Sequence, residues 1–240
     1  MIKDHFLSSV YRLREMKRFA IRQVNRNISP AEHSWFVAVL GLYIGWNSTD
    51  HEYDVSKVMA RSILHDVPEA ITSDIPYFIK HHNKKAIDMF RFIEDRIVNE
   101  VYTFGMAPDA VSKFQDAILN CKDDSKEGQL VALCDLMEAL WYVTEERIRG
   151  NQNKWIDEVY NQLIDMIAVN NAKLNESLVK DIVDYLQKQF GPSQRVRWSD
   201  LLGGGYDKEI PQESNNGSIK RGSTGTRTTS RGKARPKSRS

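Results

Sequence analysis

The sequence predicts an all-α fold, and three observations support this class. Apolar residues return at helical spacing along most of the chain, short polar segments with Gly, Pro or Asp separate these stretches, and no stretch shows the period-two alternation of a strand. The chain has 240 residues, 41% of them hydrophobic, which suffices for one domain with a sizeable core. We therefore expect a helical domain over 1–190, an irregular segment over 191–213 and a tail over 214–240.

The second helix has the clearest start. Ser29 supplies a capping side chain and Pro30 occupies the first helical position, where its missing N–H costs nothing. The helix should run over about 31–46. Because its apolar residues cover nearly every side, we expect it to be buried, with Trp35 and Trp46 in the core.

The third helix begins at about Val55 and should end near Asp66, because Pro68 disfavours helical geometry at Val67. The remaining helical patterns are separated by turn-forming residues such as Gly105. These helices are predicted over about 4–17, 84–103, 109–121, 126–149, 152–170 and 176–190.

The net charge of +2 conceals two different regions. Residues 214–240 contain eight Lys or Arg and no acidic residue, which leaves 26 basic and 32 acidic residues in the rest of the chain. The tail is almost entirely Gly, Ser, Thr, Lys and Arg, so it is predicted to be disordered. Two interpretations of it stay open: weak, salt-dependent contact with nucleic acid, or a solvated extension.

The remaining composition indicates a cytoplasmic protein. The charged start lacks the apolar core of a secretory signal, and no apolar run approaches the length of a membrane span. The two cysteines, Cys121 and Cys134, are too few for a disulfide scaffold and are typical of a reducing compartment. We expect no membrane partner.

Histidines and carboxylates fall at informative positions in three predicted helices. His33 lies near the start of the second helix, His65 and Asp66 end the third, and Asp135 interrupts the apolar run LVALCDLMEALW. A lone histidine on an apolar helix is usually a core residue, but a carboxylate among leucines is costly to bury unless it is paired or binds a metal. Together the four predict a His₂Asp₂ site for a divalent ion.

The order H…HD…D on a helical chain resembles the HD-domain metal-dependent phosphohydrolases, and specifically their YfbR-like 5′-nucleotidase branch. Four blocks carry the resemblance, in order and at similar spacing: RLREMKRF (12–19), SPAEHS (29–34), LHDVPEAITSDIP (64–76) and ALCDLMEAL (132–140). The resemblance implies an HD-domain helical bundle that hydrolyses the 5′-phosphate of (deoxy)nucleoside monophosphates. It also implies a divalent cofactor (Mn, Co, Mg, Fe or Zn) and the family's usual homodimer.

Position by position, the resemblance implies a role for each matching residue. The metal ligands would be His33, His65, Asp66 and Asp135. Glu69 would orient or deprotonate the attacking water, and Asp74 would act near the leaving oxygen, although these two roles could be exchanged. The remaining matches concern the substrate: Arg18 would hold the phosphate with help from Lys80, and Phe19, where the nucleotidases usually carry Trp, would pack against the nucleoside.

Three functions remain open from the sequence. The first is the 5′-nucleotidase, and the second is a triphosphohydrolase that releases triphosphate from a dNTP on the same fold. The third is a non-catalytic helical module that binds nucleic acid through its basic tail. Arg18 with Phe19 and the spacing of Asp74 and Lys80 favour monophosphates. For a longer phosphate chain, the motif blocks offer only Lys17, Arg22 and Arg26 as spare cations. Glu138, one helical turn after Asp135, could be a hydrogen-bond partner of a metal ligand or face solvent.

Overall fold

The computed structural model describes residues 5–190, and this part of the chain consists of helices joined by turns and irregular segments, without a strand. The second, third and later long helices begin and end within a few residues of the predicted bounds. The elements are α1 His5–Arg12, α2 Pro30–Asn47, α3 Val55–Leu64, α4 Glu69–Thr72, α5 Tyr77–Lys80, α6 Lys84–Arg96, α7 Pro108–Leu119, α8 Lys126–Ile148, α9 Lys154–Leu174 and α10 Ser177–Phe190.

Three details differ from the predicted elements. The first helix ends at Arg12, so residues up to 17 are turns instead of helix. The predicted helix over 84–103 changes at Ile97 into a π-helical turn that ends at Tyr102. The short helices α4 and α5 follow Pro68 and Pro76, whose fixed φ suits a new helical turn. Residues 191–240, which include the predicted irregular segment and tail, lie outside the described residues.

The start of α2 follows from local chemistry. The Ser29 hydroxyl accepts a hydrogen bond from the Glu32 amide at 3.2 Å, and the Glu32 carboxylate accepts one from the Ser29 amide at 2.7 Å. With Pro30 at the first position, this is a complete capping box. The helix is not buried on all sides, however: Trp35 and Trp46, predicted as core, are exposed.

Two apolar clusters form the core. The larger one joins α2, α3, α8, α9 and α10 and includes Val37, Val58, Leu133 and Ile156. The smaller one lies around α1, the π-helical turn and the end of α7. Val67 belongs to this second cluster, so the segment that follows α3 passes from one cluster to the other. None of the helices in residues 5–190 is long and apolar enough to cross a membrane.

Two glycines bring α2 and α3 unusually close together. A Cβ at Gly41 would lie 2.7 Å from Val58 Cγ1, and one at Gly45 would lie 3.0 Å from Val55 Cγ2. Any larger residue at Gly41 would therefore push the helices apart. Because the two helices are antiparallel, this close packing places the start of α2 beside the end of α3, where His33 and His65 lie.

Candidate metal centre

The four residues predicted as metal ligands lie together in the structure. His33 Nε2 is 3.2 Å from His65 Nε2 and 3.0 Å from Asp135 Oδ1. Asp66 Oδ1 is 3.2 Å from His65 Nε2. Ligand atoms of His33, His65 and Asp66 all lie within 4.8 Å of one another, and Asp135 Oδ1 is 3.8 Å from His65 Nε2. Two imidazole nitrogens and two carboxylates thus converge from α2, α8 and the end of α3.

The second nitrogen of each imidazole is held by a neighbouring acceptor. His33 Nδ1 lies 2.5 Å from Glu138 Oε2, and His65 Nδ1 lies 2.7 Å from the Ser62 carbonyl oxygen. When Nδ1 donates to these oxygens, each Nε2 presents its lone pair to the centre. Glu138, which the sequence left between two interpretations, is therefore buried beside the site and orients His33.

Each carboxylate points one oxygen at a histidine and the other at a cation. Asp66 Oδ2 accepts a hydrogen bond from Arg18 at 2.9 Å, and Asp135 Oδ2 accepts one from Lys122 Nζ at 2.6 Å. Burial alone would raise the pKa of Asp66, but His65, His33 and Arg18 hold it well below its usual range. Lys122 was not predicted from the sequence, because a lysine in a connecting segment carries no pattern that links it to Asp135.

The pKa values of His65 and Glu69 are both raised to about 9, for different reasons. Burial and Lys122 lower the pKa of His65, but Asp66 and Asp135 outweigh them and raise it to about 9. Burial is the main cause that raises the pKa of Glu69, also to about 9, and the charge of Asp66 adds to it. Without an added positive charge, both groups therefore carry a proton at neutral pH.

The predicted catalytic and phosphate-binding residues surround this centre. Glu69 Oε2 and Arg18 Nε are both buried and have no hydrogen-bond partner among the described residues. Lys80 Nζ lies 2.6 Å from Glu94 Oε1, and the charges of Glu69 and Asp66 also act on it. Asp74 Oδ2 accepts a hydrogen bond from the backbone amide of residue 19 at 3.1 Å.

Phe19 occupies an unusual backbone position beside the site. Its φ of 55° lies in the left-handed region that a non-glycine residue seldom adopts. Its ring stacks on Tyr142, with centroids 4.9 Å apart and planes 10° from parallel, and Trp155 lies 5.9 Å away. The aromatic ring thus packs against residues of α8 and α9, and the side chain is only partly buried.

These residues fit a bound divalent ion and a phosphate. Imidazole and carboxylate are ligands that Mn, Fe, Co and Zn share, so the donor set does not select one ion. Buried polar atoms nearly always have partners, and the two unpartnered atoms, Arg18 Nε and Glu69 Oε2, are a donor and an acceptor at this centre. A phosphate oxygen suits the first and a water molecule suits the second.

Comparison with known proteins identifies the same family that the sequence motifs resemble. A family model described as 5′-deoxynucleotidase YfbR-like matches residues 5–190. The chain is 23% identical over 209 residues to a 5′-deoxynucleotidase of Enterobacter sp. (strain 638), a match that covers 84% of this chain and 97% of the relative.

Solved structures share the fold at low sequence identity. An HD-domain phosphohydrolase from Listeria innocua has a TM-score of 0.65 and 17% identity, with 77% of this chain and 87% of that chain covered. The cyanophage S-2L HD phosphohydrolase (DatZ), bound to dA and one catalytic Zn²⁺ ion, has a TM-score of 0.54 and 19% identity, with 76% and 92% covered. The expected HD-domain bundle is confirmed, and the chain belongs to the 5′-deoxynucleotidase YfbR-like family.

Proposed function

We propose that this protein is a metal-dependent phosphohydrolase that converts deoxynucleoside 5′-monophosphates to nucleoside and phosphate. The observation that carries the proposal is the cluster in which His33, His65, Asp66 and Asp135 face one another at 3.0 to 3.8 Å. Membership of the 5′-deoxynucleotidase YfbR-like family, and relatives named 5′-deoxynucleotidases, support the choice of substrate class.

The four clustered residues are proposed to hold one divalent ion, with Glu138 and the Ser62 carbonyl fixing the two imidazoles from behind. When bound, such an ion supplies positive charge that polarises the phosphoryl group. The same charge lowers the pKa of the neighbouring Glu69 carboxyl group. Arg18 is proposed to bind a phosphate oxygen through Nε while its Nη1 atom keeps the hydrogen bond to Asp66. Lys80, held by Glu94, adds a second positive charge.

Proton transfer is assigned to the two remaining carboxyl groups. Glu69 is proposed to accept the proton of the attacking water, because its Oε2 atom is buried without a partner. The water oxygen then bonds to phosphorus as the bond between phosphorus and the 5′ oxygen breaks. Asp74 is proposed to give that oxygen its proton, since Asp74 touches the backbone of Phe19, which we place on the nucleoside side.

The monophosphate is favoured over a dNTP by the position of the spare cations. Arg26 Nη2 lies 3.6 Å from Glu32 Oε1, and the Arg22 guanidinium lies over the Trp155 ring at 5.7 Å. Both cations therefore already contact side chains that are not part of the metal centre. A triphosphate needs additional positive charge beyond its α-phosphate, which Arg22 and Arg26 do not supply in this arrangement and which would be left to the exposed Lys17.

The test is product analysis with matched substrates. The purified protein, supplemented in turn with Mn²⁺, Co²⁺, Mg²⁺, Fe²⁺ and Zn²⁺, is incubated with dAMP, AMP and dATP, and phosphate is separated from triphosphate. We expect phosphate from dAMP, little triphosphate from dATP, and no turnover in excess chelator. Triphosphate from dATP at a rate well above that of phosphate from dAMP would establish the triphosphohydrolase instead. Absence of turnover with every ion would favour the non-catalytic module.

A further inference from the structure

Lys122 is a charged residue at the metal centre that the proposed mechanism does not use. It lies in the segment 120–125 between α7 and α8, and its Nζ atom is 2.6 Å from Asp135 Oδ2. The other oxygen of Asp135, Oδ1, faces His33. The contact of Oδ2 with Lys122 therefore leaves Oδ1 available as the proposed metal ligand.

The segment that carries Lys122 is fixed by a buried arginine. Arg61 on α3 is fully buried and donates to Asp123 at 2.8 and 2.9 Å and to Asp116 at 3.0 Å. The start of α8 leaves room for this segment only because residue 128 is glycine, since a Cβ at Gly128 would lie 2.2 Å from Asp123 Oδ1. Lys122 is thus held on a tightly packed connection, unlike an ordinary surface lysine.

The side chains of the site become more exposed toward Lys122. His33 and His65 are 0% and 1% exposed, Asp66 is 14%, Asp135 is 24% and Lys122 is 35%. Asp135 and Lys122 therefore lie on a solvent-accessible side of the centre. A phosphate that enters from this side meets the ammonium group before it meets the histidines.

The positive charge of Lys122 suits the approach of a phosphate to this centre. A phosphate dianion must approach a centre that contains the carboxylates of Asp66 and Asp135, and like charges repel over this range. Arg18 offsets this charge on the enclosed side, at Asp66, and Lys122 does so on the open side, at Asp135. We propose that Lys122 is a phosphate-binding residue at the entrance of the site, which rests on Asp135 in the free protein and donates to a phosphate oxygen of the bound substrate.

This inference rests on the proposed function for the identity of the substrate, so its test measures phosphate binding directly. Wild-type protein and the variants K122Q and K122R, each loaded with Mn²⁺, are titrated with inorganic phosphate by calorimetry. The dissociation constant of Mn²⁺ itself is measured for each protein. K113Q, which removes a lysine from the exposed side of α7, is the matched control.

We expect K122Q to weaken phosphate binding about tenfold or more, as the loss of one hydrogen bond between charged groups does. K122R should recover most of the affinity, K113Q should match wild type, and Mn²⁺ affinity should change less than threefold in all of them. D123N, which loosens the segment while Asp116 still pairs with Arg61, should weaken phosphate binding by a smaller factor. Where dAMP is turned over, its KM should rise in K122Q more than kcat falls.

Equal phosphate affinity in K122Q and wild type would overturn the inference, whatever the protein hydrolyses. A K122Q variant that loses Mn²⁺ affinity by tenfold or more would also overturn it, because Lys122 would then serve only to position Asp135. A wild-type protein that binds phosphate through Lys122 but does not hydrolyse dAMP would support the inference while it refutes the proposed substrate.

Discussion

Metal binding should depend steeply on pH because His65 must lose a proton to become a ligand. With the pKa of His65 raised to about 9, nearly every metal-free molecule carries this proton below pH 8. Binding of the ion then releases one proton, so the apparent dissociation constant should fall about tenfold for each pH unit. Between pH 6.5 and 8.0 we expect a decrease of about 30-fold, and above about pH 9 the dependence should disappear.

The assay is a calorimetric titration with Mn²⁺ at pH 6.5, 7.2 and 8.0. Repetition in two buffers that differ in ionisation enthalpy gives the number of protons released, which should be close to one. H82Q is the control, because His82 is exposed and lies outside the site. A dissociation constant that does not change with pH, or binding without proton release, would show that His65 is already neutral and would refute the reasoning.

The same shift predicts the pH dependence of stability. The pKa of His65 in the folded, metal-free protein exceeds its unfolded value of about 6.5, so protonation stabilises the fold. This contribution is fully present below about pH 6.5 and is lost as the pH rises through about 9. Thermal unfolding of metal-free protein should therefore show a falling Tm over this interval.

Four further predictions concern single changes. Asp135→Ala and Asp66→Ala should each abolish metal binding and turnover while circular dichroism shows unchanged helix content, since neither side chain is part of an apolar cluster. Glu138→Gln should weaken metal binding about tenfold in the calorimetric titration, because it removes the charge behind His33. Phe19→Ala should raise KM for dAMP more than it lowers kcat in steady-state assays. Deletion of 214–240 should leave dAMP turnover unchanged, and loss of turnover would place the tail in the active site.

The sequence predicted features that depend on short stretches of chain. Ser29 and Pro30 are adjacent in the chain, so the start of α2 was predicted from these two residues, and Glu32 completes the capping box in the structure. The convergence of His33, His65, Asp66 and Asp135 was predicted from a carboxylate among leucines and from the resemblance that spans the motifs, and the geometry agrees with it.

Features that depend on distant contacts were not predicted. Lys122 meets Asp135 only because Arg61, on another helix, fixes the segment between α7 and α8. The exposure of Trp35 and Trp46 depends on which side of α2 the neighbouring helices cover, and an almost uniformly apolar helix carries no such signal. The π-helical turn after Arg96 likewise follows no spacing rule that the sequence displays.

The hydrogen bond from the Phe19 amide to Asp74 constrains how substrate preference could be re-engineered. A replacement at position 19 chosen for its contact with the sugar also has to keep a left-handed backbone, which costs a non-glycine residue about 1 kcal/mol. Glycine would relieve that cost but would lose the stacking on Tyr142. If the backbone shifts, Asp74 shifts with it, so under the roles proposed for Phe19 and Asp74 this hydrogen bond links selectivity to turnover. Variants changed at residue 19 alone should therefore gain sugar selectivity only with a loss of turnover. Variants that keep both should require compensating changes at Asp74 or Tyr142.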